Sequence, residues 1–271
     1  MKWLSVSAAG DPERENEDAL GVVPPLAWVI DGATPLDEMA QADGLSSAAA
    51  FSHSLGDVLA GMTPGRDLRT TVLDARDQVA LPVGPEQPAW AVPSASLALA
   101  AFSAGSLRYA VVGDCRLVLW HLDGVLDVVA DDRVGRMDAV VLQRLQSLQE
   151  DGLSHAEAMA RCLPLLRANR TGSLREGGPT LFAQKGLRPG FLSGRLRWQH
   201  GDRLLLCSDG FARLVETLDV FASWQELLRQ AEDGLDDVAR ELRALEGSDP
   251  DCVRFPRFKA SDDASAILVR G

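Results

Sequence analysis

Short apolar runs separated by turn residues dominate the first and middle thirds of the chain. Lys2–Ala8 alternates polar and apolar positions, which is typical of a half-buried β-strand. The runs Leu20–Val23 and Leu26–Ile30 flank Pro24-Pro25 and predict a β-hairpin. Further runs predict strands at 94–103, 106–113, 116–121 and 125–130, then at 180–183, 195–198, 202–207 and 264–269. The spacing of the runs between 94 and 130 predicts an antiparallel meander.

A period of three to four residues marks the segments that we expect to be helical. The predicted helices are 67–81, 134–148, 154–167, 218–232 and 236–245, and the Ala-rich segment 44–62, which is mostly free of helix breakers, is predicted as a further helix. Ser154 and Glu157 have the spacing of a capping box, which predicts the start of one helix. The proline-rich segment 82–93 predicts a loop. Arg170–Gly178 is glycine-rich and basic without an apolar period, so we expect either a plain surface loop or a flap beside an anionic substrate.

The order of the predicted elements indicates an α+β fold. Strands, two helices, antiparallel strands, a helical segment, further strands, two helices and a last strand do not follow the alternation of a parallel sheet. The order fits two antiparallel sheets covered by helices. With 271 residues, 46% of them hydrophobic, the chain can bury one large core. We therefore expect residues 1–271 to form a single domain, with a helical and flap insert at about 131–179.

The charge of the chain argues against several classes of partner. A net charge of −12 and an isoelectric point near 4.8 disfavour nucleic acid and anionic membranes, whose phosphates attract Lys and Arg. No apolar run reaches membrane-spanning length, and the first residues do not resemble a signal peptide, so we expect a cytoplasmic protein. The four cysteines lack C-x-x-C spacing and the four histidines lack ligand spacing. Buried thiols are therefore expected, and a histidine zinc site is not.

Acidic residues stand at the ends of several predicted strands. Asp31-Gly32 ends the run 26–30, and Asp209-Gly210 follows 202–207 in the same way. Glu17-Asp18 precedes the first hairpin, and Asp262-Asp263 directly precedes the last strand. A single Asp-Gly pair is more often only a turn, but the repetition predicts one carboxylate-lined site. Hard divalent cations prefer such oxygen ligands.

Five motifs, taken together and in order, resemble those of the metal-dependent protein phosphatase 2C family in its bacterial stand-alone form. They are Asn-Glu-Asp at 16–18, Val-Ile-Asp-Gly at 29–32, Tyr-Ala-Val-Val-Gly-Asp-Cys-Arg at 109–116, Leu-Cys-Ser-Asp-Gly at 206–210 and Asp-Asp-Ala-Ser at 262–265. The resemblance extends from about Ser5 to Val269. It implies a four-layer α-β-β-α sandwich that removes phosphate from phosphoserine or phosphothreonine of proteins, with a serine/threonine kinase pathway as a possible partner.

The resemblance also implies a site for two Mn²⁺ or Mg²⁺ ions. Asp31 matches the ligand that bridges both ions, and the carbonyl oxygen of Gly32 matches a ligand of one of them. Asp209 and Asp262 match ligands of the other ion. The remaining matches are Glu17 and Asp18, which hold metal-bound waters, Asp114, which binds a weaker third ion, and Arg14, which grips the substrate phosphate. A water that bridges the two ions would become hydroxide near neutral pH and attack phosphorus without a protein nucleophile.

Three departures from the family pattern affect these residues. Gly32 is followed by Ala-Thr-Pro, whereas the family has Asp-Gly-x-Gly-Gly, so this loop must run differently. Ala33 stands where some members carry a histidine that protonates the leaving group, which leaves that role to water. Arg14 stands one residue closer to Glu17 than the usual spacing.

Two alternatives compete with a phosphatase 2C enzyme. The residues from Asp31 to Thr34 also fit the tail of the opening motif of haloacid dehalogenase phosphatases. However, Val29 stands where that motif needs a nucleophilic aspartate, and no parallel sheet is predicted. The second alternative is a catalytically weak or inactive phosphatase-fold module that binds a phosphoprotein or a regulatory partner. The altered loop favours such a module, whereas the retained Asp31, Asp209 and Asp262 favour an enzyme.

Overall fold

Two antiparallel sheets form the centre of the protein in the computed structural model, which describes residues 1–36, 47–65, 67–81, 84 and 87–271. The first sheet has the order β1 (Lys2–Ala8), β11 (Ala264–Arg270), β10 (Arg203–Cys207), β6 (Arg116–Trp120) and β7 (Leu126–Ala130). The second has the order β2 (Asp18–Val23), β3 (Leu26–Gly32), β4 (Ser94–Ser103), β5 (Ser106–Val112) and β9 (Leu192–Arg197). A short strand, β8 (Leu181–Phe182), also pairs with β4. The predicted β-hairpin at Pro24-Pro25 is confirmed as the turn between β2 and β3.

Successive residues of the central strands face opposite sides of their sheet, and both sides are buried. In β3, Val29 lies in a core between the two sheets, whereas Trp28 lies in a core on the outer side of the second sheet. In β11, Ile267 lies in the inner core and Leu268 on the outer side of the first sheet. All four side chains are at most 2% exposed. Burial on both faces explains why these strands read as continuous apolar runs.

Helices cover the outer face of each sheet, and two further helices pack on each other. In chain order they are α1 (Ser47–Ala60), α2 (Leu68–Val79), α3 (Arg133–Glu150), α4 (His155–Ser173), α5 (Asp209–Glu216), α6 (Trp224–Ala231) and α7 (Leu235–Gly247), with a 3₁₀ turn at Ala89–Ala91. The first two pack on the second sheet, and the last three pack on the first. The predicted four-layer α-β-β-α sandwich is therefore confirmed.

Helices α3 and α4 pack on each other around a small core of their own. Its members include Leu145 and Cys162, both fully buried. These helices occupy the range of the predicted insert, and the single-domain organisation with that insert stays a prediction. None of the helices within the described part of the chain is long and apolar enough to cross a membrane.

The predicted meander is wrong at one point. β4 and β5 pair in the second sheet, whereas β6 and β7 pair in the first. The chain passes between the sheets at 113–115, where Gly113 has a φ of +76°. A Cβ atom at this position would overlap the side chain of Ser96, so glycine is required by both conformation and space. The Gly-Asp pair thus marks a change of sheet rather than a hairpin turn.

The predicted loop at Arg170–Gly178 is wrong over its first four residues. Helix α4 begins at the predicted capping box of Ser154 and Glu157 and continues to Ser173. Its last turn is held by tertiary and local bonds: Asn169 Nδ2 donates to the carbonyl oxygen of Met137 at 3.1 Å, and Ser173 Oγ donates to that of Asn169 at 3.0 Å. These bonds offset the low helix propensity of Gly172. Arg170 therefore lies on a helix.

Two further boundaries differ from the prediction. The helix expected at 218–232 begins only at Trp224, and α5 was not predicted, because Asp209-Gly210 reads locally as a turn. Parts of the predicted helix at 44–62 and of the predicted loop at 82–93, namely residues 44–46, 82, 83, 85 and 86, lie outside the described residues.

Candidate functional site

The ends of β3 and β10 bring two aspartates from different sheets together. Asp31 lies at the end of β3, and Asp209 begins α5 directly after β10. The backbone nitrogen of Asp209 donates to Asp31 Oδ2 at 3.4 Å. The N-terminus of α5 thus faces Asp31, and a helix N-terminus favours negative charge.

Asp18 and Asp114 join this pair through strand register. Asp18 on β2 pairs with Asp31 on β3, and Asp31 pairs with Ser96 on β4. Ser96 Oγ donates to Asp114 Oδ1 at 2.5 Å and accepts from the Asp114 backbone nitrogen at 3.1 Å. The change of sheet after β5 therefore brings Asp114 beside the other aspartates.

Asp263 holds the loop between β1 and β2 against the start of β11. Its Oδ1 accepts from the Gly10 nitrogen at 2.8 Å, and its Oδ2 accepts from the Glu17 nitrogen at 2.7 Å. These two bonds fix the loop that carries Arg14 and Glu17.

Gly32 allows β3 to approach this loop closely. Its nitrogen donates to the carbonyl oxygen of Glu17 at 3.1 Å, and a Cβ atom on Gly32 would lie 2.6 Å from that oxygen. A side chain would therefore push the loop away from Asp31. Close packing against the carbonyl oxygen of Glu17 is sufficient to explain why position 32 is a glycine.

The four gathered aspartates, Asp18, Asp31, Asp114 and Asp209, place several negative charges close together. Burial raises the pKa of Asp18 and of Asp31 well above the ordinary value, and for Asp31 the charges of Asp209, Asp18 and Asp114 raise it further. Burial and the charge of Asp209 raise the pKa of Asp114 to about 6, against the effect of the Ser96 bond. None of the four forms an ion pair within the described ranges. Such a cluster favours either bound protons or a bound cation.

The chemistry of these donors fits a hard divalent cation. Asp18 is 4% exposed, and its buried Oδ2 has no hydrogen-bond partner among the residues described. Carboxylate oxygens of this kind are the ligands that Mn²⁺ and Mg²⁺ take. The side chains are not preassembled, however: in the described part of the chain, no group of three or more His, Cys, Asp or Glu side chains is arranged to hold a metal ion.

Asp262 lies in the opposite electrostatic surroundings. Its Oδ1 accepts from Lys259 Nζ at 2.6 Å, and its Oδ2 accepts from Arg213 Nη2 at 2.6 Å. Burial acts to raise the pKa of Asp262, but Lys259 and Arg213 outweigh it and hold that pKa below the ordinary value. Asp262 is thus a compensated carboxylate.

The two cations on Asp262 are themselves held by other groups. Lys259 Nζ also donates to Thr34 Oγ1 at 2.6 Å, and Thr34 Oγ1 in turn donates to Glu17 Oε2. Arg213 Nη1 contacts Glu246 Oε1 at 3.2 Å, and Glu246 is 1% exposed. The predicted ligands Glu17 and Asp262 therefore belong to one charge network.

Lys259 and Arg213 were not predicted from the sequence. Arg213 stands four residues after Asp209, and on a helix this spacing places both side chains on one face, which is a usable signal. Lys259 precedes Asp262 by three residues in a segment without regular periodicity, so only the tertiary contact reveals it.

The site opens into a cavity of about 380 Å³. Among the residues that line it are the predicted Arg14, Asp31, Gly32, Asp114, Asp209 and Asp262, together with Lys259, Arg213 and Arg170. Arg14 is exposed at the mouth. Arg170 donates to the carbonyl oxygen of Thr34 at 2.8 Å, and burial lowers the pKa of Arg170 to about 10 although Glu17 and Asp138 oppose this. Acidic and basic side chains therefore line the same cavity.

Solved structures with the same fold include serine/threonine phosphatases. The catalytic domain of PstP, in complex with two manganese ions, aligns with a TM-score of 0.57 at 19% identity, covering 98% of this chain and 96% of that chain. MsPP from Mycobacterium smegmatis, a PPM phosphatase in complex with cacodylate, aligns with a TM-score of 0.57 at 20% identity, covering 100% and 98%. PppA, a regulatory component of T6SS in Pseudomonas aeruginosa, aligns with a TM-score of 0.56 at 20% identity, covering 99% and 96%.

These alignments show the fold of the chain. It is that of the PPM-type serine/threonine phosphatases, and the resemblance predicted from the five motifs is confirmed at this level. No protein-family model and no curated protein matches the sequence. The roles of the individual site residues stay predictions.

Proposed function

We propose that this chain is a divalent-cation-dependent phosphomonoester hydrolase that removes phosphate from phosphoserine or phosphothreonine of proteins. The observation that carries the proposal is the group Asp18, Asp31, Asp114 and Asp209, which meet without an ion-pair partner among the described residues. They meet beside a cavity, in a fold that the chain shares with PPM-type phosphatases. The proposed partners are a phosphorylated protein and a serine/threonine kinase pathway.

The proposed ion ligands are those that the five motifs imply. They are Asp31, the Gly32 carbonyl oxygen, Asp209 and Asp262, with Glu17 and Asp18 acting through water and Asp114 serving a weaker ion. When bound, Mn²⁺ or Mg²⁺ would supply Lewis-acid stabilisation of the negatively charged phosphoryl group. A solved neighbour with this fold, PstP, holds two manganese ions.

Arg14 and Arg170 are the residues that we propose for binding phosphoryl oxygens. Both line the cavity that also holds Asp31. A guanidinium group donates two parallel hydrogen bonds to a phosphate and stays charged at neutral pH. Ala33 offers no acid, so the departing serine or threonine oxygen would take its proton from water.

The far wall of the cavity supports a peptide substrate. It is formed by apolar side chains of α3 and α4, which include Met137, Met159 and Leu163. An apolar wall next to charged groups suits a phosphorylated residue with apolar neighbours, because binding removes that wall from water.

Hydrolysis of p-nitrophenyl phosphate and of a phosphothreonine peptide tests the proposal. We expect turnover with added Mn²⁺, none after chelation, and a loss of at least about 100-fold in kcat for Asp31→Asn. Thiol reagents should have no effect, since all four cysteines are buried and none has a role in the reaction. Turnover that persists after thorough chelation would contradict the proposal.

A phosphoprotein-binding module without turnover is the second candidate. The contacts of Asp262 favour it, because both carboxylate oxygens already accept from cations of the protein. Such a module would bind the phosphothreonine peptide in a fluorescence titration and release no phosphate in the same sample.

A further inference from the structure

We propose that the ammonium group of Lys259 takes the place of one divalent ion in this site, so that the chain binds a single Mn²⁺ or Mg²⁺ beside Asp31 and Asp209. The inference rests on the proposed function, because it concerns the same cavity. It departs from the two-ion site that the resemblance implies, and it removes Asp262 from the ion ligands proposed above.

The contacts of Asp262 are the first argument. Lys259 Nζ and Arg213 Nη2 each lie 2.6 Å from a different oxygen of this carboxylate. A metal ion that used Asp262 would have to take the remaining lone pair of one of these oxygens and lie next to its positively charged donor, which repels it. Charge-assisted hydrogen bonds of this length are the strong ones, so the competition favours the protein's own cations.

Both cations are anchored behind Asp262. Arg213 is 8% exposed and also pairs with Glu246, which in turn pairs with Arg243 at 2.5 Å. Lys259 bonds to Thr34, which stands at the first of the two glycine positions in the family pattern Asp-Gly-x-Gly-Gly. The altered loop and Lys259 therefore form one structural unit that reaches Glu17 through the Thr34 hydroxyl.

The two sides of the site differ in charge compensation. Asp262, Glu17 and Glu246 lie in a network with Lys259, Arg213 and Arg243. Asp18, Asp31, Asp114 and Asp209 form no ion pair within the described ranges, and the buried Asp18 Oδ2 has no partner there. Arg213, Lys259 and Arg116 act on Asp209 and Asp114 only at longer range. One dication suits the side without ion pairs, and the ion-paired side already holds its cation.

The test is the stoichiometry of Mn²⁺ binding to the full chain, measured by isothermal titration calorimetry after chelator removal. We expect one ion per chain for the wild type. Lys259→Met removes the ammonium group at similar side-chain length, so its stoichiometry should rise towards two. Lys185→Met removes an exposed positive charge elsewhere and should bind one ion, which controls for net charge.

Asp262→Asn provides a second variant that does not depend on the folding of Lys259→Met. Since Lys259 and Arg213 already occupy Asp262, the loss of its charge should change the Mn²⁺ dissociation constant by less than about threefold, whereas Asp209→Asn should weaken binding at least about tenfold. Two ions on the wild type, unchanged stoichiometry in Lys259→Met, or tenfold weaker binding by Asp262→Asn would each overturn the inference.

The number of bound ions and the hydrolysis activity together distinguish an error in the proposed function from an error in the role of Lys259. One bound ion without hydrolysis would contradict the phosphatase and support the role of Lys259. Hydrolysis with two bound ions would contradict only the role of Lys259.

Discussion

Asp114 and Asp262 show how neighbouring carboxylates in one site acquire opposite properties. Asp114 is half-buried beside Asp209, and its pKa is raised to about 6 by burial and by that charge. Asp262 has Lys259 and Arg213 at its two oxygens, and its pKa stays below the ordinary value despite burial. The type of residue is the same, so the difference comes entirely from the neighbours.

Asp114→Asn should change how stability depends on pH. The folded pKa of Asp114 lies above the unfolded value near 4, so the native state binds more protons than the unfolded state between about pH 4 and 6. This contribution makes the wild type less stable as pH rises through that range. The asparagine variant lacks it and keeps an oxygen for the Ser96 hydroxyl, so above pH 6 it should be more stable than wild type by at most about 3 kcal/mol.

Urea unfolding in chelator at pH 4.5 and 7.5 measures this effect. The variant should exceed the wild type in stability by about 1 kcal/mol at the lower pH and by up to about 3 kcal/mol at the higher pH. An equal offset at both pH values would contradict a raised pKa for Asp114.

At the scale of elements, helix α4 connects the insert to the site. Arg170 lies on its last turn, donates to the Thr34 carbonyl and lines the cavity, whereas Arg175 lies beyond the helix and is exposed. The two arginines were predicted to share a flap. The structure separates them, which gives a matched pair of variants.

Arg170→Met should raise KM for a phosphothreonine peptide about tenfold, since a hydrogen bond to a charged group is worth about 1.5–3 kcal/mol. Arg175→Met should leave KM unchanged. Melting temperatures of both variants check that the loop after Gly32 is intact. Equal KM values for Arg170→Met and the wild type would exclude Arg170 from phosphate binding, and an effect of Arg175→Met would support the original flap.

The sequence predicts the positions of the strands along the chain better than it predicts how the strands pair into sheets. β3 and β11 can be predicted because acidic or turn residues bound their apolar runs, after β3 and before β11, which is a local signal. The passage between sheets at 113–115 was missed, since Gly113-Asp114 has the same local pattern as a hairpin turn. Helix α5 was missed for a similar reason, because its first two residues read as a bend.

The candidate site shows the same division between local and tertiary information. Asp31 and Asp209 could be predicted because each stands at or just after the end of an apolar run that predicts a strand. The ion pairs of Asp262 could not, because Lys259 and Arg213 reach it from segments whose relative position depends on how β11 packs beside α5. The carboxylates of the site can therefore be identified from the sequence, whereas the cations that pair with Asp262 are identified only from the folded structure.

At the scale of the whole molecule, the two sheets meet at an end where like charges accumulate. Asp31 comes from the second sheet, and Asp209 follows a strand of the first. Two unit charges about 5 Å apart repel by about 3 kcal/mol at an effective dielectric constant of 20. This repulsion opposes the packing of the two sheets against each other. A cation bound between these charges should therefore raise the free energy of unfolding of the entire fold.

Asp209→Asn should reverse its effect on the melting temperature between chelator and manganese. In chelator the variant loses repulsion with Asp31 and also loses about 0.3–1 kcal/mol from a negative charge in the first turn of α5, so it should melt at or above wild type. In manganese the wild type gains about 2.7 kcal/mol at an ion concentration 100 times the dissociation constant, and the variant gains far less.

Asp236→Asn is the matched control for this comparison. Asp236 is exposed in the first turn of α7, so its loss should lower the melting temperature slightly and equally in both solutions. If Asp209 only supported its helix, Asp209→Asn would behave in the same way. Parallel shifts for both variants would therefore remove Asp209 from the cation site, whereas a crossing confined to Asp209→Asn would mean that the ion links the two sheets through this residue.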